Sequence, residues 1–489
     1  MKVLHVNTNR MKPAIAPIGL DYLADSIIAA GHEPRLLDLC FSENVDADIE
    51  ASLREFGPHV IGVTVRNTDD CYFSGGAFFL PEIKDVVDRL RSHSDAPIVL
   101  GGVGFSVAPR AIMDFVGADY GIAGAGEEPF ASFLSACENQ SGFEHVPNLL
   151  HRQRGAIKRN RDIGAEDNLP ARRRELPDNP RYFREGGQGG FESKRGCNMK
   201  CIYCADPLAK GRHVHLRAPN LVVDELKALL AQGIDHYHTC DCEFNIPGGH
   251  AKRVCRAIID AGLGDKIRWY AYCSVTPFDR EMADLFKRAG CAGIDFGADS
   301  GCDEILHRLG RQFKSDDLVR TARLCHEHAV PFMYDLLVGG PGETRETVRQ
   351  TIDLVRAIDA DCVGVAMAVR VYEGTAMADY VRFEGDPAAN PNLYGAKADN
   401  PHFLKPVYYI SPALGEGIVG YLHEIVGGDT RFFLPSNEEV ESNYNYNENT
   451  VLVDAIRKGA RGAYWDLLRR LRHSERSEES APGFFAGSE

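Results

Sequence analysis

The chain has 489 residues, 44% hydrophobic and 26% charged, an ordinary globular balance with room for two or three domains. A formal net charge of −15 and a pI of about 5.6 argue against a nucleic-acid binder, which presents a basic field. The 14 cysteines are scattered rather than paired, pointing to a reducing cytoplasm, and no apolar run reaches the length of a signal peptide or a membrane span.

Residues 1–140 alternate short apolar runs with amphipathic stretches. Val3–Val6, Leu36–Leu37, Val60–Val65, Ile98–Leu100 and Tyr120–Ala123 read as strands, with helices such as Gly19–Ile28 and Leu80–Leu90 between them. This alternation predicts a doubly wound, Rossmann-like α/β sheet whose ligands lie at the carboxyl ends of the strands. The loops there span 7–19, 66–76, Gly101-Gly102-Val103-Gly104 and Gly124-Ala125-Gly126-Glu127-Glu128. Their glycines either let a backbone approach a bulky ligand or serve turn geometry alone. Residues 141–185 are polar and rich in Arg, Pro and Asn, and read as a linker with a small hairpin over Leu149–Arg152 and Ala156–Arg159. The basic run Arg172–Arg174, flanked by Glu175 and Asp178, is expected on a solvated face.

Residues 186–395 form six strand–helix units. A strand leads into Cys197, and others follow at Ile234–Thr239, Ile267–Tyr272, Ile294–Gly297, Pro331–Val338 and Val363–Val369. Helices cover Leu221–Leu230, His250–Ile259 and about Thr344–Ile358, with two more capped by Asp279 and Ser315. Residues 396–472 read as a small, mainly helical C-terminal domain. Tyr408, Tyr409, Tyr444 and Tyr446 are candidates there for a pocket wall, although packing is their usual role. Residues 473–489 are low in apolar content and expected to be disordered.

The chemistry centres on Glu192-Ser-Lys-Arg-Gly-Cys197-Asn-Met-Lys-Cys201-Ile-Tyr203-Cys204. Three thiolates on one tight loop can hold three irons of a four-iron cluster and leave the fourth open. Zinc would want a fourth ligand, for which His213 and His215 are available.

This stretch resembles the signature of the radical S-adenosylmethionine (radical SAM) enzymes, R-G-C-x-x-x-C-x-aromatic-C, with Tyr203 at the aromatic position. The resemblance implies that Cys197, Cys201 and Cys204 ligate a [4Fe–4S] cluster. It implies that the open iron binds S-adenosylmethionine and that an electron donor such as flavodoxin or ferredoxin serves it. The six units then correspond to the family's partial (β/α)6 barrel, where strand ends carry function. Asp241 or Glu243 would pair with the ammonium of S-adenosylmethionine, and Ser274 would offer a polar contact. Asp299 and Ser300 would lie near the ribose, and the turn from Gly339 to Glu343 beside the adenosine. Cys240, Cys242, Cys255, Cys273, Cys291, Cys302, Cys325 and Cys362 read as small core residues.

The N-terminal unit is similar to the cobalamin-binding domain that precedes the barrel in a large subset of that family. The matching features are Pro17-x-Gly19-Leu20, Val65-Arg66-Asn67-x-Asp69, Gly101-Gly102 with Gly104, and the loop from Gly124 through Glu127 to Glu128. The chain has no D-x-H-x-x-G, so the resemblance is to members whose cobalt lacks a lower histidine. In a relative that methylates tryptophan, an arginine after the third strand lies below the cobalt. Arg66 is the matching position, its other reading being an ion-paired or solvated residue at a strand end. The resemblance implies an enzyme that methylates an unactivated carbon of a small-molecule or lipid substrate. Rearrangement, cyclisation or oxidation without methyl transfer is the alternative. A methylthiotransferase of RNA and a non-catalytic cobalamin sensor are the remaining rivals. Cys40, Cys71 and Cys137 lack the spacing that a methylthiotransferase's N-terminal cluster would need.

Overall fold

The computed structural model describes residues 1–73, 75–164, 172–415, 417–435 and 449–479. The first sheet runs in the order Glu33–Asp38, Lys2–Asn7, Val60–Thr64, Ile98–Gly101, Tyr120–Ile122, Leu149–Gln153, Ala156–Arg159. Its first five strands are parallel, and helices cover both faces, so runs such as Val60-Ile61-Gly62-Val63 are buried on both sides. The order reverses between the first and third strands in sequence, which opens a crevice at their carboxyl ends. The expected hairpin forms, but it extends this sheet antiparallel beyond residue 140, with Ile122 opposite Leu149.

The second sheet runs in the order Gly189–Phe191, His236–Thr239, Arg268–Ser274, Cys291–Asp299, Phe332–Val338, Cys362–Met367, Phe432–Phe433, all parallel and not closed. The six expected strands are present, and the C-terminal segment adds a seventh. The same segment packs Leu452, Ile456, Tyr464 and Trp465 against Tyr270, Met333 and Cys362, at the amino ends of the barrel strands. Its last helix, Tyr464–Glu479, continues past Arg472, where disorder was expected: the run is polar, but Glu and Arg favour helix and no Gly or Pro interrupts it. Tyr444 and Tyr446 lie outside the described residues. Tyr408 and Tyr409 are buried packing residues, with Tyr408 edge-on to Phe73 at 5.5 Å between centroids.

Asp279 caps its helix, its carboxylate accepting from the Met282 N–H at 2.8 Å, and Thr344 caps the helix Arg345–Ala357. Ser315 does not cap. It is the first residue of its helix, and Asp317 reaches back to the Lys314 N–H at 2.9 Å.

The larger correction concerns Arg172–Arg174. Only Arg173 is on the surface, while Arg172 and Arg174 are buried. The Arg174 guanidinium donates to Asp21 and Glu225 at 2.6 Å each and to the Gly190 carbonyl at 2.7 Å. Arg172 faces Glu127 at 3.4 Å. The counter-charges come from the N-terminal unit and the barrel, not from the flanking Glu175 and Asp178. The connection is therefore a charged staple between the two units.

Candidate active site

The loop carrying the three cysteines is shaped by its glycine and by two other segments. Gly196 adopts φ +95°, and a Cβ there would fall 1.9 Å from the His213 carbonyl oxygen, so no other residue fits. The Cys197 N–H donates to the Gly211 carbonyl at 3.0 Å, and the Ile202 N–H to that of Leu309 at 3.0 Å. Cys197, Cys201 and Cys204 then line one cavity of about 260 Å³ together with Tyr203, Glu243, Asp299, Arg311 and Asp335. Among the described residues no three His, Cys, Asp or Glu side chains are grouped to hold a single metal ion. Three thiolates spread over one cavity instead suit a cluster, in which each iron takes one protein ligand.

Arg311 is the functional candidate that the sequence reading missed. Its Nη1 donates to Cys201 Sγ at 3.0 Å, its Nη2 to the Gly297 carbonyl, and its Nε lies 3.3 Å from Asp299. Asp299, at φ +58°, also accepts from the Tyr203 hydroxyl at 2.6 Å. The only signal in the sequence was Gly310 before it. Gly310 has φ +78°, and its missing Cβ leaves room for the Lys200 carbonyl, 2.3 Å from where that atom would stand.

The structure separates Asp241 from Glu243. Beyond Thr239 the chain leaves the strand, so alternation no longer sets which way side chains face. Asp241 is consumed by the cysteine loop, accepting from the Ser193 and Lys194 N–H groups at 2.8 and 3.1 Å and from the Ser193 hydroxyl. Glu243 faces the cysteine cavity, 3.9 Å from Arg311, and burial lifts its carboxyl to about 7. Cys242 is not a core residue either. It lines the cavity beside Cys197, and the hydrogen bond between the two thiols pulls Cys197 down and pushes Cys242 up. Cys240 is half-buried, on the wall of the larger cavity described next, while the other six cysteines read as core residues are buried.

A larger cavity of about 570 Å³ opens between the two units. Arg66, Asn67, Gly101, Gly102, Gly124 and Glu127 line it from the crevice of the first sheet, and Asp241 from the barrel. Gly102 has φ +103°, and a Cβ would lie 2.6 Å from the Val65 carbonyl oxygen, which presses the backbone against the sheet and keeps the crevice open. Glu127 is tied to Arg195 at 3.0 Å. Burial raises its carboxyl, but Arg195 and Arg172 outweigh that and hold it below the usual range. Asp206 and Cys242 line both cavities, so the two share a wall.

Five predicted site residues lie on neither wall. The Gly104 N–H bonds the Arg66 carbonyl at 2.9 Å, with no space for a Cβ. Ser274 is buried and clasped through its backbone by Asn245. Ser300 bonds Thr351 at 3.0 Å. Glu343 closes its own turn by accepting from the Gly339 and Gly340 N–H groups at 2.6 and 3.2 Å. Their motifs are structural turns that shape the strand ends. Cys40, Cys71 and Cys137 sit in three separate surroundings, the first two beside Lys12 and Tyr372 and the third near Tyr120, and do not converge.

Comparison with known proteins agrees with this geometry. Residues 191–355 match the Radical SAM superfamily and residues 4–134 the B12 binding domain. The tryptophan 2-C-methyltransferase of Streptomyces laurentii is 32% identical, covering 94% of each chain. The methyltransferase TsrM of Kitasatospora setae has been solved with tryptophan and a SAM analogue. It superposes with a TM-score of 0.92 at 30% identity, over 99% of this chain and 100% of that one. The cobalamin-dependent enzyme OxsB shares the fold, with a TM-score of 0.73 at 14% identity over 100% of this chain and 82% of that one. The three cysteines with their guanidinium donor fit a [4Fe–4S] cluster, and the glycine-lined crevice fits cobalamin. The chain belongs to the cobalamin-dependent radical SAM methyltransferases.

Proposed function

We propose that the protein methylates a carbon atom of a tryptophan-like small molecule, with S-adenosylmethionine as methyl source and cobalamin and a [4Fe–4S] cluster as cofactors. The observation that carries this is the shared wall: Asp206 and Cys242 border both cavities, so ligands of the two lie side by side. When bound, cobalamin supplies a transferable methyl group, and the cluster with S-adenosylmethionine supplies one-electron chemistry.

The chain's own residues bind, orient and exclude water. Cys197, Cys201 and Cys204 hold the cluster, and Arg311 neutralises charge on the Cys201 side. Glu243 is the carboxylate placed to receive the ammonium of S-adenosylmethionine, because Asp241 is already spent on backbone N–H groups. Arg66 and Asn67 face the cobalamin from the end of the third strand, and Gly102 and Gly124 let the backbone approach it. The buried staple of Arg174, Asp21 and Glu225 fixes the distance between the units, which a transfer between adjacent ligands requires. Tryptophan enters because the relatives alike over nearly the whole chain act on or bind it. A flavodoxin or ferredoxin in the cytoplasm is the expected electron donor.

The test is anaerobic reconstitution with iron, sulfide and hydroxocobalamin, followed by product analysis with S-adenosylmethionine and L-tryptophan. One cluster, one cobalamin and a methylated product are expected. Cys201→Ala should abolish S-adenosylmethionine cleavage and leave cobalamin bound; retained cleavage would sink the cluster assignment.

A further inference from the structure

The barrel lumen holds polar groups that the cofactor assignments leave unused. Along the strand Cys291–Asp299, Ile294 and Phe296 pack outward in the core, while Gly293, Asp295 and Gly297 face inward. The Trp465 ring covers Gly293, 2.9 Å from where its Cβ would stand, and Gly297 faces Arg311 and Glu243. Asp295 thus lies between the floor of the lumen and the cysteine cavity. It lines the larger cavity with Gln188, His238, Tyr272, Met333 and Trp465. Tyr272 is opposite Asp295 across the strands, and its ring lies 4.6 Å from that of His238. Barrel interiors are ordinarily filled by side chains. Here the glycines that flank the carboxylate admit the Trp465 ring on one side and the Arg311 guanidinium on the other.

Asp295 is 3% exposed, its Oδ1 has no hydrogen-bond partner, and it enters no ion pair among the described residues. Independently, the indole N–H of Trp465, a buried residue on the wall of the same cavity, is also without a partner. Buried polar atoms are ordinarily satisfied, so this set points to a ligand that brings both donors and acceptors. Burial, then the negative charges of Asp335 and Glu243, push the Asp295 carboxyl well above its usual range, as expected of a site awaiting a cation.

We propose that Asp295 receives the ammonium group of the methyl acceptor, whose ring lies along Tyr272 and His238. This rests on the small-molecule reading above and narrows the acceptor to primary amines, amino acids included. An α-amino acid also carries a carboxylate that can accept from the Trp465 indole N–H.

The test is anaerobic calorimetry on the cofactor-loaded protein with three pairs that differ only in the ammonium group. These are tryptophan and indole-3-propionate, phenylalanine and 3-phenylpropionate, and norleucine and hexanoate. At least one amino acid should bind tenfold or more tightly than its deamino partner. Asp295→Asn should erase that preference while the cluster and cobalamin spectra and the affinity for S-adenosylmethionine hold. Equal binding within every pair on the wild-type protein overturns the proposal, whether or not the variant folds. A preference that survives in D295N overturns it too, as does a variant that loses S-adenosylmethionine instead. A preference confined to the phenyl or alkyl pair upholds the ammonium site and removes the tryptophan-like reading.

Discussion

Replacing Arg174 with methionine tests whether the linker staple joins the two units. The guanidinium is 1% exposed and serves Asp21 and Glu225, whose side chains are 1% and 0% exposed. Glu225 keeps Arg217 and the Tyr22 hydroxyl as partners after the change. Asp21 keeps only neutral donors, the Leu176 N–H at 3.1 Å and Asn179 at 3.4 Å. One buried carboxylate is thus left without a counter-charge, which costs about 3–5 kcal/mol. In Arg174→Met with Asp21→Asn the stranded charge is gone. The remaining losses are the donors to the Gly190 carbonyl, worth about 1–3 kcal/mol, and to Asn179 Oδ1, a longer bond at 3.4 Å. Urea unfolding read through Trp269 and Trp465, the chain's 2 tryptophans, measures both variants. The reasoning fails if R174M lies within about 1 kcal/mol of wild type, the worth of a surface ion pair. It also fails if the double variant is no more stable than the single one.

Three further predictions concern the site. Arg66→Ala should alter the spectrum of bound cobalamin and slow turnover, since Arg66 lines the crevice; unchanged spectrum and rate would return it to a plain strand-end residue. Arg311→Met removes a positive charge and an N–H···S bond to Cys201, so the reduced cluster loses stabilisation and its potential should fall in a redox titration; an unmoved or higher potential refutes this. Burial lifts Glu343 to about 7 from 4.5, so the folded chain holds a proton that the unfolded chain releases. That contribution is full below about pH 4.5 and is lost as pH rises through about 7, an effect of up to ~3 kcal/mol. Glu343→Gln should flatten this decline in urea midpoints taken across that window, and parallel pH profiles for the two proteins would show the assignment to be wrong.

Periodicity and local motifs reached far into this fold. Short apolar runs flanked by helical stripes located the parallel strands of the first sheet and six of the seven in the second, because burial on both faces of a parallel sheet favours such runs. The C-x-x-x-C-x-x-C loop was legible because its three cysteines and its obligatory glycine are contiguous in the chain. Asp299 and Tyr203 were legible for the same reason, each adjoining a local motif. The seventh strand, Phe432–Phe433, was not: two residues carry no period.

What the sequence alone determined is whatever is written within one turn or one strand: the alternation of elements, the cluster loop and the glycines of the crevice. Tertiary structure decided every property that depends on a charge meeting its partner across the fold. Arg174 is buried because Asp21 and Glu225, far away in the chain, neutralise it. Arg311 reaches Cys201 across 110 residues. Asp241 and Glu243, two residues apart, receive opposite assignments because one meets backbone donors and the other the cysteine cavity. The cost of burying an ion is set by its surroundings in space, and neighbours in sequence do not specify those surroundings.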